Sequence, residues 1–92
     1  MTRIERITYF ENILNEGLEV VKNYKNDPDK FMEFQPKMKE LDDYYGSYVY
    51  RKDLQADERG ELPSDLRRGV LSEDGIYNLL LDNDEILEEL KK

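Results

Sequence analysis

Two arginines shortly before an amphipathic segment are the first residues whose types and spacing could bind a ligand. Arg67 and Arg68 precede Ser72, whose hydroxyl is placed to cap a helix that starts there. Free N–H groups at a helix N-terminus attract anions, and nearby arginines add charge-assisted hydrogen bonds. These three residues are therefore a candidate site for phosphate or a carboxylate. Glu73 and Asp74 would repel an anion from the same turn, so pairing of the arginines with these acids or with Asp65 is the competing interpretation.

A carboxylate-rich segment at residues 53–61 is a candidate cation site. A calcium loop needs Gly at its sixth position and a bidentate Glu at its twelfth. Counted from Asp53, those positions hold Glu58 and Ser64, so the motif fails. A looser magnesium or calcium site from Asp53, Asp57 and Glu58 is the remaining hypothesis, with a solvated helix end as the simpler interpretation. We therefore predict no metal site, no cofactor and no catalytic residue.

Four of the seven tyrosines fall within seven residues, which indicates a contact surface. At helical spacing these four side chains cannot all face one core, so some of them should be exposed. Tyrosine offers a large contact area with few rotatable bonds and is enriched in protein interfaces. The candidate partner surface consists of Tyr44, Tyr48 and Tyr50, together with Tyr77 and Leu81 one helical turn apart. Ordinary packing of the tyrosines against residues 62–71 is the alternative.

The composition excludes several classes of function. The chain has 92 residues with 14 Lys and Arg against 22 Asp and Glu, a net charge of −8. This excess of acid disfavours binding to nucleic-acid backbones and to anionic membranes. Cys and His are both absent, so thiol chemistry and the commonest general base and metal ligand are missing. Because no apolar signal core or membrane span is evident, we expect a cytoplasmic protein.

The hydrophobic spacing predicts an all-α fold, a small bundle of three to four helices forming a single domain over residues 1–92. A capping box at Thr2 and Glu5 begins a helix that extends to about Tyr24. Its apolar arc is wide enough to contact at least two other helices. The main stripe of that arc is Ile4, Ile7, Phe10, Leu14, Leu18 and Val21.

The second half of an antiparallel helical hairpin should follow after a short connection. Asp27 caps this helix and Pro28 occupies its first position. An apolar seam continues to Tyr48 through Pro36, which should either kink the helix or start a new one. Gly46 and Ser47 then end it and cap a third helix over residues 48–58.

The last third of the chain is predicted to contain an ordered, turn-rich connector over residues 62–71 and a final helix. Ser64 should cap a short turn that Gly69 ends in a left-handed conformation. Ser72 should cap the final helix, with Leu71 and Ile76 spaced as a hydrophobic staple. One face of that helix carries Ile76, Leu79, Leu80, Asn83, Ile86, Leu87 and Leu90.

Two segments, YYGSYVYRKD at residues 44–53 and LPSDLRRGVLSEDGIYNLL at residues 62–80, resemble a known family. It is a family of small, mainly Gram-positive bacterial proteins known as domain of unknown function 4298. The resemblance covers roughly Leu41 to Asn83, and many members have Trp where this chain has Tyr50. It implies the fold boundaries and an intracellular bacterial setting, and it implies no chemistry.

Together these features favour a small acidic, non-catalytic protein-interaction module whose partner is another protein or a second copy of the chain. Neither nucleic acid nor a membrane is an expected partner. One alternative is a ligand-binding or anion-binding protein, or an enzyme, that uses arginines and carboxylates near residues 62–75. It requires a concave pocket containing Arg67 or Arg68 and at least one buried carboxylate with a perturbed pKa. Another alternative is an acidic mimic of nucleic acid, which requires carboxylates in two rows.

Overall fold

The computed structural model describes residues 1–72 and 74–92. These residues form five α-helices and one 3₁₀ turn, with no strand among them. The all-α fold class predicted from the sequence is therefore confirmed. The elements are α1 (Arg3–Lys22), α2 (Pro28–Glu33), α3 (Gln35–Tyr45), α4 (Tyr48–Glu58), the 3₁₀ turn Gly69–Leu71 and α5 (Gly75–Leu90).

Local capping signals fix the beginnings of three helices as predicted. At α1 the Glu5 N–H donates to Thr2 Oγ1 at 3.1 Å, and the Thr2 N–H donates to Glu5 Oε1 at 3.0 Å. Asp27 accepts from the Lys30 N–H at 3.1 Å and caps α2. Ser47 accepts from the Tyr50 N–H at 3.2 Å and caps α4. Each cap satisfies a backbone donor that has no partner within its own helix.

Pro36 starts a new helix rather than kinking a continuous one. Helix α2 ends at Glu33, and α3 begins at Gln35 with Pro36 in its first turn. A proline is tolerated there because the first N–H groups of a helix have no acceptor within it. Phe34 joins the two helices and is buried in the core.

Helices α1, α3 and α5 form the core of the bundle. Helix α3 runs antiparallel to α1, since Gly17 approaches Phe34 and Met38 while the ring of Phe10 stacks on Tyr44. Helix α5 runs parallel to α1: Gly17 lies beside Leu79, and the Tyr24 hydroxyl donates to Glu89 at 2.6 Å. The prediction that α1 contacts at least two helices is confirmed.

Three residues assigned to buried stripes are exposed, which corrects the predicted faces. Ile4 and Leu18 on α1 and Leu90 on α5 each expose over two-fifths of their surface. The partner helices approach α1 on the side of Ile13, Gly17 and Val20, so its buried face is rotated away from the predicted stripe. Leu90 lies beyond the contact between Tyr24 and Glu89, past the end of α1.

The connector differs most from its prediction. Ser72 does not cap α5, because its hydroxyl donates to Gly69 O at 2.7 Å and closes the 3₁₀ turn. The helix instead begins at Gly75 after Asp74. Gly69 is not left-handed, since the described residue with positive φ is Gly60 at 71°. The predicted placement of Glu73 in the first turn of α5 lies outside the described residues.

Candidate functional site

Asp53 is a fully buried carboxylate at the junction of α1, α3 and α4. Arg6 donates to it from Nε at 2.9 Å and from Nη2 at 2.5 Å. Arg3 Nε donates at 3.1 Å, and the Tyr44 hydroxyl donates at 2.6 Å. Four charged or hydroxyl donors therefore satisfy this carboxylate, as a buried anion requires.

The charges of this cluster are fixed at neutral pH. Burial raises the pKa of Asp53, but the hydrogen bonds from Arg6 and Tyr44 more than offset this effect and leave the pKa below its usual value. Burial and the hydrogen bond to Asp53 raise the pKa of Tyr44. The carboxyl group stays ionised and the phenol neutral, so the cluster stabilises the fold and is not poised to exchange protons.

Tyr44 and Tyr50 belong to the core, so their assignment to the partner surface is wrong. Both are buried. The rings of Phe10 and Tyr44 stack at 4.0 Å with an interplanar angle of 2°, and the Tyr50 ring meets Tyr44 edge-on at 5.2 Å. The Tyr50 hydroxyl donates to Val70 O at 3.3 Å, which joins α4 to the 3₁₀ turn. The expected packing against residues 62–71 accounts for this tyrosine.

Three members of the predicted partner surface are exposed. Tyr48 exposes 68% of its surface at the start of α4, where Lys52 Nζ lies 5.0 Å from its ring centre. Tyr77 and Leu81 expose 54% and 46% of theirs on α5. They lie on the side of that helix opposite the buried Leu79. The expectation that some of the clustered tyrosines are exposed is thus confirmed for Tyr48.

Two of the three residues of the predicted anion site, Arg68 and Ser72, have other structural roles. Arg68 donates from Nη1 to Asp57, from Nη2 to Pro63 O and from Nε to Leu66 O at 3.2 Å. Each of the three guanidinium nitrogens therefore donates to another group of the protein. Ser72 closes the 3₁₀ turn and offers no helix N-terminus. Pairing of an arginine with an acid is confirmed, although Asp57 replaces the acids considered from the sequence.

Replacing Arg68 by Gln should loosen the connector and lower the free energy of unfolding by about 1 kcal/mol, the scale of one partly exposed charge-assisted hydrogen bond. Amide hydrogen exchange within residues 62–71 should accelerate in this variant, while that of α1 changes little. The matched control is Arg59→Gln, which removes an exposed pair with Glu61. Equal exchange in both variants would show that Arg68 does not hold the connector.

An open groove of about 300 Å³ lies between α1 and residues 62–67. It is lined by Ile4, Thr8, Glu11, Asn12, Pro63, Asp65, Leu66 and Arg67. It brings the predicted Arg67 together with a buried carboxylate, which are two of the features that the ligand-binding alternative requires. That carboxylate belongs to Glu11, which was not among the site residues predicted from the sequence. Glu11 follows Ile7 by four residues and precedes Leu14 by three, and this spacing places it at the edge of the buried face.

Glu11 is 6% exposed and has neutral hydrogen-bond donors only. Its Oε1 accepts from the Val70 N–H at 2.8 Å, and its Oε2 accepts from Asn15 Nδ2 at 3.2 Å. Among the described residues, no Lys or Arg nitrogen lies within salt-bridge distance of it. A Cβ added at Gly69 would lie 3.2 Å from Oε2, so the glycine makes room for the carboxylate.

A family model described as Domain of unknown function (DUF4298) matches residues 7–92. The chain belongs to this family. The DUF4298 match confirms the resemblance seen at residues 44–53 and 62–80 and extends it over the remaining helices. No curated protein and no solved structure matches the chain. The family assignment therefore supports the fold boundaries and carries no activity to the site residues.

Two of the three carboxylates considered for a cation have other partners in this DUF4298 chain. Asp53 binds Arg3 and Arg6, and Asp57 binds Arg68. In residues 1–72 and 74–92, no three acidic side chains are grouped closely enough to hold a metal ion. The same residues include no helix with the length and apolar character needed to cross a bilayer.

Proposed function

We propose that this protein is a non-catalytic, cytoplasmic interaction module that binds a basic protein segment through the exposed face of α5. The observation that carries this proposal is the pair Tyr77 and Leu81. About half of each side chain is exposed, on a helix that contains five carboxylates and no Lys or Arg. Exposed aromatic and aliphatic side chains within a charged rim are typical of protein-binding surfaces.

The outer face of α5 is defined here as Tyr77, Leu81, Asp84, Glu85 and Glu88. Four of them form one stripe along the helix, because their spacings are four, three and four residues: Tyr77, Leu81, Asp84 and Glu88. Glu88 contacts Lys91 at 3.6 Å with both side chains exposed, and such a pair contributes little. The Glu88 carboxylate can therefore leave Lys91 and pair with a cation of a partner at little cost.

Charge complementarity selects the partner. An apolar stripe flanked by carboxylates fits an amphipathic segment whose Leu or Ile side chains cover Tyr77 and Leu81 while its Lys or Arg side chains meet Asp84 and Glu88. The net charge of −8 raises the local concentration of such a segment and repels acidic proteins. The saturated cluster around Asp53 supports the non-catalytic part of the proposal.

A synthetic amphipathic helix of Lys and Leu is a direct probe of this surface. Titrated into ¹⁵N-labelled protein, it should shift the amides of Tyr77, Leu81 and Glu88, with an affinity that falls as salt is raised. Tyr77→Ser combined with Leu81→Ser should weaken binding at least tenfold. Tyr48→Ser, which also removes an exposed tyrosine, should leave the affinity unchanged.

Two outcomes would contradict the proposal. Binding that is equally weakened by Tyr48→Ser would show that the peptide recognises exposed aromatic rings in general. Amide shifts confined to helices other than α5 would place the surface elsewhere. A peptide of the same length with Glu in place of Lys should not bind, because the outer face of α5 repels it.

A second copy of the chain is the competing partner, because α4 carries a basic apolar patch. Tyr48 and Val49 are exposed there beside Arg51 and Lys52. Sedimentation equilibrium separates the two cases: we expect a monomer, since two chains of charge −8 repel each other. A dimer that Tyr48→Ser combined with Lys52→Glu dissociates would identify the partner as a second copy. Tyr50 is left unchanged because it is part of the core.

A further inference from the structure

The groove between α1 and residues 62–67 differs from the outer face of α5, and no residue of α5 lines it. We infer that it binds a primary ammonium group on a short alkyl chain, with Glu11 as the counter-ion. Two sources carry this chemistry: a free alkylamine, and the side chain of a lysine in a partner protein. This inference is independent of the proposed function, because it concerns another surface and another ligand.

Glu11 accepts hydrogen bonds on both of its carboxylate oxygens. Oε1 accepts from the Val70 N–H and Oε2 accepts from Asn15 Nδ2, and both of these donors are neutral. A buried carboxylate with neutral donors alone is only partly compensated for its lost hydration. A cation that enters the groove supplies the missing countercharge and finds lone pairs free on both oxygens.

The walls of the groove fit an alkyl chain. Ile4, Pro63 and Leu66 form its apolar part. Ile4 lies on α1 and its side chain is substantially exposed. Thr8 and Asn12 add a hydroxyl and an amide beside Glu11. An ammonium bound to the carboxylate can thus place its methylene groups against the apolar wall, as a lysine stem does on protein surfaces.

The difference in burial between Glu11 and the charged residues at the rim determines whether the groove favours a cation or an anion. Arg67 and Asp65 are both exposed at the rim, whereas Glu11 is buried at the floor. Electrostatic interactions are stronger where water is excluded, so the floor charge dominates. The anion that Arg67 suggested in the sequence would face Glu11 at close range. The groove therefore selects a cation despite the arginine at its rim.

Contacts within the protein hold the connector beside the groove in place. Arg68 binds the connector to α4 through Asp57, and the Val70 N–H binds the same connector to Glu11. The Tyr50 hydroxyl holds Val70 from the other side through its carbonyl. A ligand need not order this wall, which favours measurable affinity for a small molecule.

The test uses two amines and their neutral analogues in NMR titrations of the ¹⁵N-labelled chain. 1,5-Diaminopentane represents the free amine, and N-acetyl-lysine N-methylamide represents a protein lysine. Pentan-1-ol and N-acetyl-norleucine N-methylamide have the same stems without the charge. We expect both amines to shift the amides of Thr8, Asn12 and Leu66, and the tighter of the two to identify the source. The neutral analogues should bind at least tenfold more weakly.

Two substitutions with opposite expected effects complete the test. Glu11→Gln keeps the shape and the hydrogen-bond acceptor for Val70, and it should weaken amine binding at least tenfold. Arg67→Gln removes a like charge from the rim and should strengthen amine binding about twofold to threefold. For an anion site both effects reverse, and inorganic phosphate would bind more tightly than the amines. That reversal, or an unchanged affinity in Glu11→Gln, would overturn the inference.

A third variant covers the case in which Glu11→Gln does not fold. Ile4 is exposed at the groove, so Ile4→Lys preserves the core and places an ammonium of the protein itself near Glu11. It should compete with the added amines and weaken their binding at least fivefold. Ile4→Gln, of similar size and without charge, is its control. Equal amine affinities in these two variants would also overturn the inference.

Discussion

Replacing Asp53 by Asn should lower the free energy of unfolding by about 3 kcal/mol, which is the lower end of the range for breaking a buried ion pair. Asn keeps the shape of the side chain but removes the charge that Arg3 and Arg6 need. The lower end applies because both guanidinium groups are partly exposed and water replaces some of the lost interaction. Urea denaturation of the variant and of the wild type measures this difference.

Asp43→Asn is the matched control for this effect. Asp43 pairs with Lys39 at 3.3 Å, but both side chains are largely exposed. The same chemical change should therefore have no measurable effect on stability. If Asp53→Asn were also neutral, the cluster at the junction of α1, α3 and α4 would not hold the fold together.

The pH dependence of the Asp53 effect has a definite sign. The folded pKa of Asp53 lies below its usual value of 3.8, so the unfolded chain binds a proton at higher pH than the folded chain does. The stabilisation is complete well above pH 3.8 and is lost as the pH falls through the folded pKa. Wild type and Asp53→Asn should thus differ by a constant amount at neutral pH and converge in acid. A gap that stays constant as the pH falls through the folded pKa would contradict the lowered pKa.

Local signals explain why most of the helical framework could be predicted. The caps at Thr2, Asp27 and Ser47 each act within three residues, so their hydrogen bonds can be inferred from spacing alone. The break at Pro36 follows equally from the missing N–H of that residue. The preserved hydrophobic period through Asn83 correctly indicated one continuous final helix.

The partners of the buried carboxylates could not be inferred in this way. Arg6 is 47 residues from Asp53, and Val70 is 59 residues from Glu11. Nothing in the local pattern pairs residues at such distances, because the pairing depends on how α4 and the connector fold back on α1. The anion site predicted from the sequence failed for the same reason. Arg68 was expected to bind a ligand, whereas in the folded protein it pairs with Asp57.

Exposure within an aromatic cluster is also decided by packing that the sequence does not encode locally. Tyr48 and Tyr50 are two residues apart on α4, so they point to different sides of that helix. The sequence indicates that one of them should be exposed, but not which. The positions of α3 and the 3₁₀ turn determine which side of α4 is buried, because Tyr50 packs against Tyr44 and donates to Val70 O.

Gly75 is the position where helix propensity and packing make opposite predictions. Ala is the better helix former, so propensity alone predicts that Gly75→Ala stabilises α5. A Cβ at this position, however, would lie 2.8 Å from Gly69 O and 2.8 Å from Ser72 Oγ. The carbonyl of Gly69 already accepts from the N–H and the hydroxyl of Ser72, at 3.1 Å and 2.7 Å. It cannot move without breaking the 3₁₀ turn.

We therefore expect Gly75→Ala to lower the free energy of unfolding by about 2 kcal/mol, within the range for overpacking. Gly17→Ala is the matched comparison, because its Cβ would also approach another atom to 2.8 Å. That atom is Leu79 Cδ2, the end of a side chain that can change rotamer, so the gain in propensity should offset most of the strain. Urea denaturation of both variants, with the Val70 amide shift as a local readout, measures the difference. A Gly75→Ala variant as stable as Gly17→Ala would show that the 3₁₀ turn Gly69–Leu71 yields as easily as a side chain. The connector could then not serve as a rigid wall for the groove beside Glu11.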